Sequence, residues 1–320
     1  MVFTRGHGLL GVAFVSAFAV ACGGGAAGGM GGTGGTGGAA AGTTGAAGAA
    51  GTAGTAGLTG GAGSGAGGAS DWNACAVMPA PLRTSGTIVE LTIDPVLGGQ
   101  PFVYGEPNRL GADVTGTVTP LNFRFYVSQV RLLTAAGSVP VDVVTAAGLP
   151  EPYDVHLFNA EDDSSRALRV LAPPGTYTGI EFILGLNSAC NTSNMAGRVP
   201  PLSETSQMTW GPLGYLFLRF EALLSSIGPP PDGGAAPPQA IHMGGSPGTL
   251  FAPVVRVEGA LSVPAGATVT RSLRVVMEQI FAGATMEADV TTAPLPGGEV
   301  INGERLRRNA PRLPLFTFGP

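Results

Sequence analysis

Histidine is scarce in this 320-residue chain, with three copies. His7 lies in an N-terminal segment that export would remove, which leaves His156 and His242 for acid–base or metal chemistry. His242 stands in Ile-His-Met-Gly-Gly (241–245), where an imidazole, an adjacent thioether and glycines that permit close backbone approach suit a metal site. His156 alternates with apolar residues in Tyr-Asp-Val-His-Leu-Phe (153–158), a pattern more typical of an ordinary strand residue than of a ligand.

Several classes of enzyme are excluded by what the sequence lacks. All 16 basic residues are arginines, which excludes Schiff-base lysines and phosphate-loop lysines. The sequence has no nucleophile elbow, zinc-protease helix or haem-attachment cysteine pair. The run Glu161-Asp162-Asp163 could be a calcium loop or a hydrolase carboxylate pair, although three adjacent carboxylates in a loop usually face solvent. We therefore predict that the protein is not an enzyme, with a hydrolase as the weaker alternative.

The N-terminal residues have the pattern of a secretion signal. Arg5 precedes an apolar run over 9–21, which has the length of a signal-peptide core and is too short to span a bilayer. The run ends in Ala-Val-Ala-Cys, with small residues before Cys22, as in bacterial lipoproteins. We predict a signal peptide over residues 1–21, lipidation of Cys22, and a periplasmic or outer-membrane-surface location. An ordinary signal-peptidase site with an incidental Cys22 is the alternative.

A low-complexity segment follows this cysteine. Residues 23–70 are almost wholly Gly, Ala, Thr and Ser, a composition that buries too little apolar surface to fold. We predict a lipid-anchor cysteine and a disordered linker over 22–70, and one globular domain over 71–320. Loss of Arg5 with the signal takes the formal charge from −5 to −6, which disfavours nucleic acid and anionic membrane surfaces as partners.

Alternating polarity indicates an all-β domain. Val89, Leu91 and Ile93 alternate with polar residues, as on a half-buried strand. Glycine and proline occur in nearly every gap between such runs. They favour chain reversals and hence an antiparallel β-sandwich with Greek-key-like connections. The segments 185–208 and 226–248 do not fit the pattern, and we predict long loops there. The other predicted strands occupy 122–133, 153–158, 177–184, 213–221, 250–257, 267–281 and 286–290.

Five stretches of the predicted domain are specific enough, in their order, to compare with known families. They read PFVYGEPNRLG (101–111), LNFRFYVSQVRLL (121–133), APPGTYTGIEFILGLN (172–187), PLSETSQMTWGPLGYLFLRFEA (201–222) and AIHMGG (240–245). Together they resemble the MbnP-like family, also called metallo-mystery pair proteins, which are exported copper-binding proteins. The resemblance implies copper as the cofactor and, as the partner, a di-haem cytochrome c peroxidase-like (MbnH-type) protein.

The cysteines depart from the branch of the family that this chain is most similar to. That branch has four cysteines, one shortly after the Pro-Phe pair and one after an acidic segment, whereas Tyr104 and the run 159–162 occupy those regions here. With Cys22 lipidated, Cys75 and Cys190 remain as an even pair, and a structural disulfide between them is the simplest interpretation. A metal site of two thiolates is the alternative.

The resemblance also implies a set of site residues. His242 matches the family's copper-ligand histidine, although one histidine beside glycines is otherwise more often an ordinary loop residue. Trp210 matches a tryptophan that the haem partner oxidises to kynurenine, whose amine and carbonyl help to bind copper; a packed tryptophan is the alternative. Relatives often have a histidine where Asp94 could supply a carboxylate oxygen. The predicted metal ligands are therefore His242, Asp94 and His156.

Together these features predict a membrane-tethered β-sandwich that binds copper and is oxidised by a haem partner. The alternative is a surface binding or adhesion module that keeps the fold without the metal. The number of donors separates the two, because two mature histidines are few for a dedicated copper protein. Arg124, Arg131 and Arg219 fall on predicted strands, and we predict that they form ion pairs at the sandwich surface.

Overall fold

The computed structural model of the chain describes most of the predicted domain. All described residues lie in one compact unit that spans 63–320. Among them, no helix is long and apolar enough to cross a membrane. The predicted signal peptide, Cys22, the linker, Trp210 and the predicted strand 286–290 lie outside the described residues. Those described are 75–77, 82, 84–109, 116–191, 196–209, 214–225, 238–244, 252–281, 306 and 309–320.

Strands make up most of the regular structure in these ranges. The first seven are β1 (Thr87–Leu97), β2 (Gln100–Pro101), β3 (Asn108–Arg109), β4 (Thr117–Thr134), β5 (Gly137–Pro140), β6 (Asp142–Val143) and β7 (Val155–Asn159). The others are β8 (Ala167–Ala172), β9 (Gly175–Leu184), β10 (Leu216–Leu224), β11 (Gln239–Gly244), β12 (Val254–Val263), β13 (Val269–Val276) and β14 (Phe316–Phe318). A short helix, α1 (Met277–Phe281), follows β13, and 3-10 turns occupy Pro152–Asp154, Asp163–Arg166 and Glu204–Ser206.

The strands form two sheets around one apolar core. The smaller sheet has six strands in the order β14-β13-β1-β8-β6, with β2 paired to β1. The larger has eight in the order β11-β10-β4-β9-β12, with β3, β5 and β7 also paired to β4. Leu91 of the smaller sheet and Phe125 and Phe182 of the larger belong to the same buried cluster. The predicted β-sandwich is confirmed.

Strand β1 shows how the sequence pattern produces this packing. Buried and partly exposed residues alternate along all 11 of its positions. Val89, Leu91 and Ile93 have no solvent exposure, because successive side chains of a strand point to opposite faces. Full burial of each such side chain stabilises the fold by about 1.5–3 kcal/mol.

One pairing departs from the antiparallel prediction. β1 pairs with β8 in antiparallel orientation, but it pairs with β13 in parallel, from Val89 opposite Val269 to Val96 opposite Val276. Tight hairpins make sequence neighbours antiparallel, whereas β1 and β13 come from distant parts of the chain and are free of that constraint. The smaller sheet is therefore mixed, while the pairings of the larger sheet are antiparallel in the described residues.

Further differences concern individual elements. The segment 226–248, predicted as a loop, contains strand β11, whose alternation is brief and follows a proline-rich stretch. The predicted strand 267–281 divides into β13 and α1 at Met277. The short strands β2, β3, β5, β6, β8 and β14 were not predicted.

Candidate metal-binding site

A row of polar side chains lies on the outer face of the larger sheet. His242 on β11 is opposite Arg219 on β10. Arg219 in turn is opposite Arg124 on β4, and Arg124 is opposite Asn159 on β7. Directly opposed residues of antiparallel strands share a face. Phe125, the residue after Arg124, is fully buried in the core, so the row lies on the face turned away from it.

Glu221 connects two members of this row. Nε2 of His242 lies 2.9 Å from Oε1 of Glu221. The guanidinium of Arg219 donates from Nε to Oε1 of the same carboxylate at 2.9 Å and from Nη2 to Oε2 at 3.1 Å. The side chains of His242 and Glu221 are 19% and 23% exposed. An imidazole, a carboxylate and a guanidinium thus form one partly buried group, called here the His242 triad.

The Glu221 carboxyl remains ionised at physiological pH. Burial alone would raise its pKa, but the hydrogen bonds from His242 and Arg219, together with the guanidinium charge, outweigh burial and lower the pKa to about 2. Glu221 therefore carries a negative charge next to both Arg219 and His242.

Arg219 also contacts the segment that leads into Trp210. Its Nη1 donates to the carbonyl of Gln207 at 2.9 Å. Two residues later, Thr209 forms an isolated antiparallel bridge with Tyr215, next to the start of β10. These two contacts hold the chain from Gln207 to Thr209 next to the His242 triad.

Arg124 forms a second polar group further along the row. Its side chain is 5% exposed, and Nη2 forms an ion pair with Oε2 of Glu161 at 2.6 Å. Nη1 donates to the carbonyl of Ser206 at 2.9 Å, and Nε donates to Oδ1 of Asn159 at 3.1 Å. The Tyr104 hydroxyl donates to the other oxygen of Glu161, and burial together with this carboxylate raises the pKa of Tyr104 to about 12. Glu161 is therefore an ion-pair partner, while all three carboxylates of its acidic run remain exposed, as expected.

The structure does not bring the three predicted ligands together. Asp94 lies on β1 in the smaller sheet, where its Oδ2 accepts a hydrogen bond from Ser272 at 2.8 Å. His156 lies on β7, with Nε2 2.7 Å from the carbonyl of Ser165. Burial lowers the pKa of His156 to about 4, against the opposing effect of that hydrogen bond. Within the described ranges, no three His, Cys, Asp or Glu side chains converge as a metal site.

The thioether next to His242 is also not available on the same face. Met243 is opposite Leu218 and has no solvent exposure. Because side chains alternate along a strand, Met243 points to the core while His242 points outward. Met243 is therefore a packing residue, and the two adjacent side chains do not form one site.

A disulfide fixes the loop between β9 and β10, which contacts this polar face. Cys75 and Cys190 are bonded, with their Cα atoms 4.9 Å apart, so the pair predicted from the sequence forms a disulfide in place of two free thiolates. The carbonyl of Cys190 accepts from Arg198 at 2.6 Å, and the Arg198 guanidinium lies 5.3 Å from the ring centre of Tyr215. Asn191 accepts from the Tyr215 amide at 2.9 Å. The disulfide thus connects the start of the domain to the residues that bridge Thr209.

Comparison with known proteins assigns the chain to a family. A family model described as MbnP matches residues 86–296, more than half of the chain. The chain belongs to the MbnP family. A solved structure, MbnP from Methylosinus trichosporium, is similar over 99% of its own length and 74% of this chain, with 19% sequence identity and a TM-score of 0.48. No curated protein matches the chain significantly.

The described residues of this MbnP-family chain offer one side chain of a type that binds copper, the His242 imidazole, and by themselves they do not complete a metal site. Imidazole nitrogen is a copper ligand, and a metal-bound histidine commonly donates its other ring N–H to a carboxylate. His242 and Glu221 have this arrangement, while Arg219 engages both carboxylate oxygens. These residues supply one imidazole donor together with the carboxylate that orients it.

Glu221 was not identified from the sequence of this MbnP-family protein. Arg124 and Arg219 do form ion pairs, as predicted. Arg124 pairs from a buried position with Glu161, 37 positions away, whereas Arg219 pairs with Glu221, two positions away. Arg131, the third predicted arginine, donates to the Ser138 hydroxyl. One local signal was present: the Arg-x-Glu spacing at 219–221 places both side chains on the same face of a strand.

Proposed function

We propose that this MbnP-family chain is an exported, lipid-tethered copper-binding protein without catalytic activity of its own. In this proposal His242 is a copper ligand on the outer face of the larger sheet. A di-haem peroxidase-like partner oxidises Trp210, and the modified side chain supplies further donors. Family membership and the position of His242 support the proposal.

One connection in the structure carries this proposal. Arg219 bonds to the Gln207 carbonyl on one side and to Glu221 on the other, and Glu221 contacts His242. The histidine and the segment that enters Trp210 therefore belong to one hydrogen-bonded group, although residues 210 and 242 are 32 positions apart in the sequence.

The chain's own residues would position the imidazole and keep it accessible. Copper, when bound, supplies a redox-active centre that prefers nitrogen and sulfur donors to carboxylate oxygen. Glu221 orients the ring, and Arg219 balances the carboxylate charge. The His242 side chain is 19% exposed.

The proposed modification of Trp210 needs an external oxidant, which we take to be peroxide acting through the haem partner. Two equivalents of peroxide would cleave the indole C2–C3 bond, adding two oxygen atoms and leaving two water molecules. Hydrolysis would then release C2 as formate and leave the ketone and aromatic amine of kynurenine. Both new groups can donate electron pairs to a metal ion.

The predicted tether suits a protein that must meet an exported partner. A flexible Gly-rich segment with the length of residues 23–70 has a root-mean-square span of roughly 35–40 Å. A domain anchored through Cys22 would remain close to the membrane and still turn its outer face toward the partner.

Protein purified from its native host tests this proposal. We expect it to contain copper, and the tryptic peptide that spans Trp210 to show the mass gain of kynurenine. Trp72, the other tryptophan of the chain, is the internal control and should remain unmodified. Copper-free protein with unmodified Trp210 would contradict the proposal and favour a surface binding module that lacks the metal.

A further inference from the structure

We propose that Arg124 and Arg219 are positioning residues for the oxidation of Trp210, because they help to hold the four residues that precede it against the larger sheet. The inference rests on the proposed function, in which a haem partner oxidises this tryptophan. It assigns the two arginines, called here the arginine pair, a role in that reaction beyond their ion pairs.

The arginine pair bonds to neighbouring carbonyls of one segment. Arg124 on β4 and Arg219 on β10 lie directly opposite each other, so their side chains leave the same face of the sheet. Nη1 of Arg124 donates to the carbonyl of Ser206 at 2.9 Å. Nη1 of Arg219 donates to the carbonyl of Gln207, also at 2.9 Å. Two adjacent strands thus hold two consecutive peptide units.

A carboxylate restrains each guanidinium from another side. Glu161 pairs with Nη2 of Arg124 at 2.6 Å. Glu221 accepts from Nε and Nη2 of Arg219 at 2.9 and 3.1 Å. A planar guanidinium that is bonded on two sides cannot rotate without breaking one of these bonds. The arginine pair is therefore a fixed support for the segment.

The next two residues are held by the start of β10. The amide of Leu216 donates to the carbonyl of Met208 at 2.7 Å, and Thr209 forms its β-bridge with Tyr215. Each residue of the segment 206–209 is thus bonded to β4, to β10 or to the residue just before β10. The chain therefore enters position 210 from a fixed place.

The backbone of Gln207 is held in a conformation that it would not adopt by itself. Its φ and ψ are 56° and 24°, in the left-handed region that residues with a side chain seldom occupy. Such a conformation persists where surrounding contacts determine it, and the bond from Arg219 to the Gln207 carbonyl is one of these contacts. Loss of Arg219 should therefore loosen the turn as well as remove one hydrogen bond.

A fixed entry point suits oxidation by a separate protein. The reaction takes two oxygen atoms from two equivalents of peroxide, leaves two water molecules and, after hydrolysis, releases C2 of the indole as formate. Displacement of a reacting group by about 1 Å can lower a rate about 100-fold. Trp72, by contrast with Trp210, borders the predicted linker. The arginine pair would therefore favour oxidation of Trp210 over Trp72.

Hydrogen exchange tests the support in full-length protein made without the partner, so that Trp210 is unmodified. The amide of Leu216 reports on its bond to Met208. We expect Arg219→Gln and Arg124→Lys to speed exchange of this amide, because the segment is released, while the amides of β1 keep their protection. Unchanged exchange at Leu216 in both variants would overturn the inference.

Oxidation in the native host tests the role in the reaction. Cleavage after glutamate releases residues 205–221, which include Trp210, from the parent and from the arginine variants alike. We expect Arg219→Gln and Arg124→Lys to lose most of the kynurenine in this peptide. Arg219→Lys should retain more than Arg219→Gln, since lysine keeps the charge beside Glu221 but lacks the planar fork that bonds on both sides.

Two results would decide against the proposal in different ways. If both arginine variants contain as much kynurenine as the parent, the positioning role is wrong while the proposed function stands. If the folded parent contains none, the proposed function fails and this role fails with it.

Arg169→Gln is the matched control. Arg169 pairs with Glu90 at 2.8 Å in the smaller sheet, and its side chain is 25% exposed, close to the 24% of Arg219. We expect this variant to contain as much kynurenine as the parent. An equal loss in Arg169→Gln and Arg219→Gln would show an effect of general stability and contradict positioning.

Hydroxyl radicals generated in solution provide a second control, because a freely diffusing oxidant needs no docked geometry. They should label Trp210 at least as strongly in Arg219→Gln as in the parent. Weaker labelling would show that the variant shields the ring, and the loss of kynurenine would then not support a positioning role.

Discussion

Cys75 and Cys190 are separated by 115 positions in the sequence, yet their Cα atoms are 4.9 Å apart. Asn191, which follows Cys190, accepts a hydrogen bond from the Tyr215 amide, and Tyr215 forms a β-bridge with Thr209, the residue before Trp210. The disulfide therefore restrains the loop on the polar outer face as well as the start of the domain.

Removal of this disulfide should destabilise the domain. We expect Cys75→Ser/Cys190→Ser to lower the free energy of unfolding by about 2–5 kcal/mol, since a long loop is no longer constrained in the unfolded chain. Urea unfolding of the parent and the variant measures the change. Cys22→Ser is the control and should unfold like the parent, because this cysteine precedes the linker; equal midpoints for all three proteins would refute the structural role.

Arg124 should be the most sensitive ion-pairing arginine. Its side chain is 5% exposed and holds Glu161, Asn159 and the Ser206 carbonyl. We expect Arg124→Met to cost about 1–3 kcal/mol, because it leaves the buried Ser206 carbonyl without its donor, while water can solvate the partly exposed Glu161 carboxylate. Arg166→Met, which removes an exposed pair to Asp163 at 3.9 Å, should change stability by less than about 0.5 kcal/mol. Similar unfolding midpoints for the two variants would contradict this ranking.

His156 should make stability depend on pH in a defined window. Its pKa is lowered from 6.5 to about 4, so between these values the unfolded chain binds a proton that the folded chain does not. The contribution of neutral His156 is therefore fully present above about pH 6.5, is lost as the pH falls, and changes no further below about pH 4. The loss of stability in the parent should exceed that in His156→Gln across this window, as measured by thermal unfolding at several pH values. Parallel curves would show that His156 does not titrate in this way.

Local patterns were sufficient for the fold class but not for the arrangement of strands. The alternation at Val89, Leu91 and Ile93 predicts β1 because burial of one face depends only on neighbours in sequence. The parallel pairing of β1 with β13 has no local signature, since it joins residues 89–96 to residues 269–276. Strand β11 was missed because six residues beside a proline-rich stretch give too short a pattern.

The candidate site was also predictable only in part, because residue types can be read from the sequence but contacts between distant strands cannot. His242 could be singled out by its residue type and by the family resemblance of the stretch that contains it. Its contact with Glu221 depends on the register of β10 against β11, which the sequence does not reveal. Asp94 is the converse case: its position in the sequence suggested a donor, but β1 belongs to the other sheet.

Copper titration of purified protein is the most direct test of the proposed function. The parent, His242→Ala and His156→Ala would be titrated under identical conditions, with circular dichroism to confirm that each variant is folded. We expect the parent and His156→Ala to bind copper and His242→Ala to lose binding, because His242 alone of the two faces the outer surface beside the Met-x-Trp segment. Equal loss in both variants, or no binding by the parent, would contradict His242 as the copper ligand.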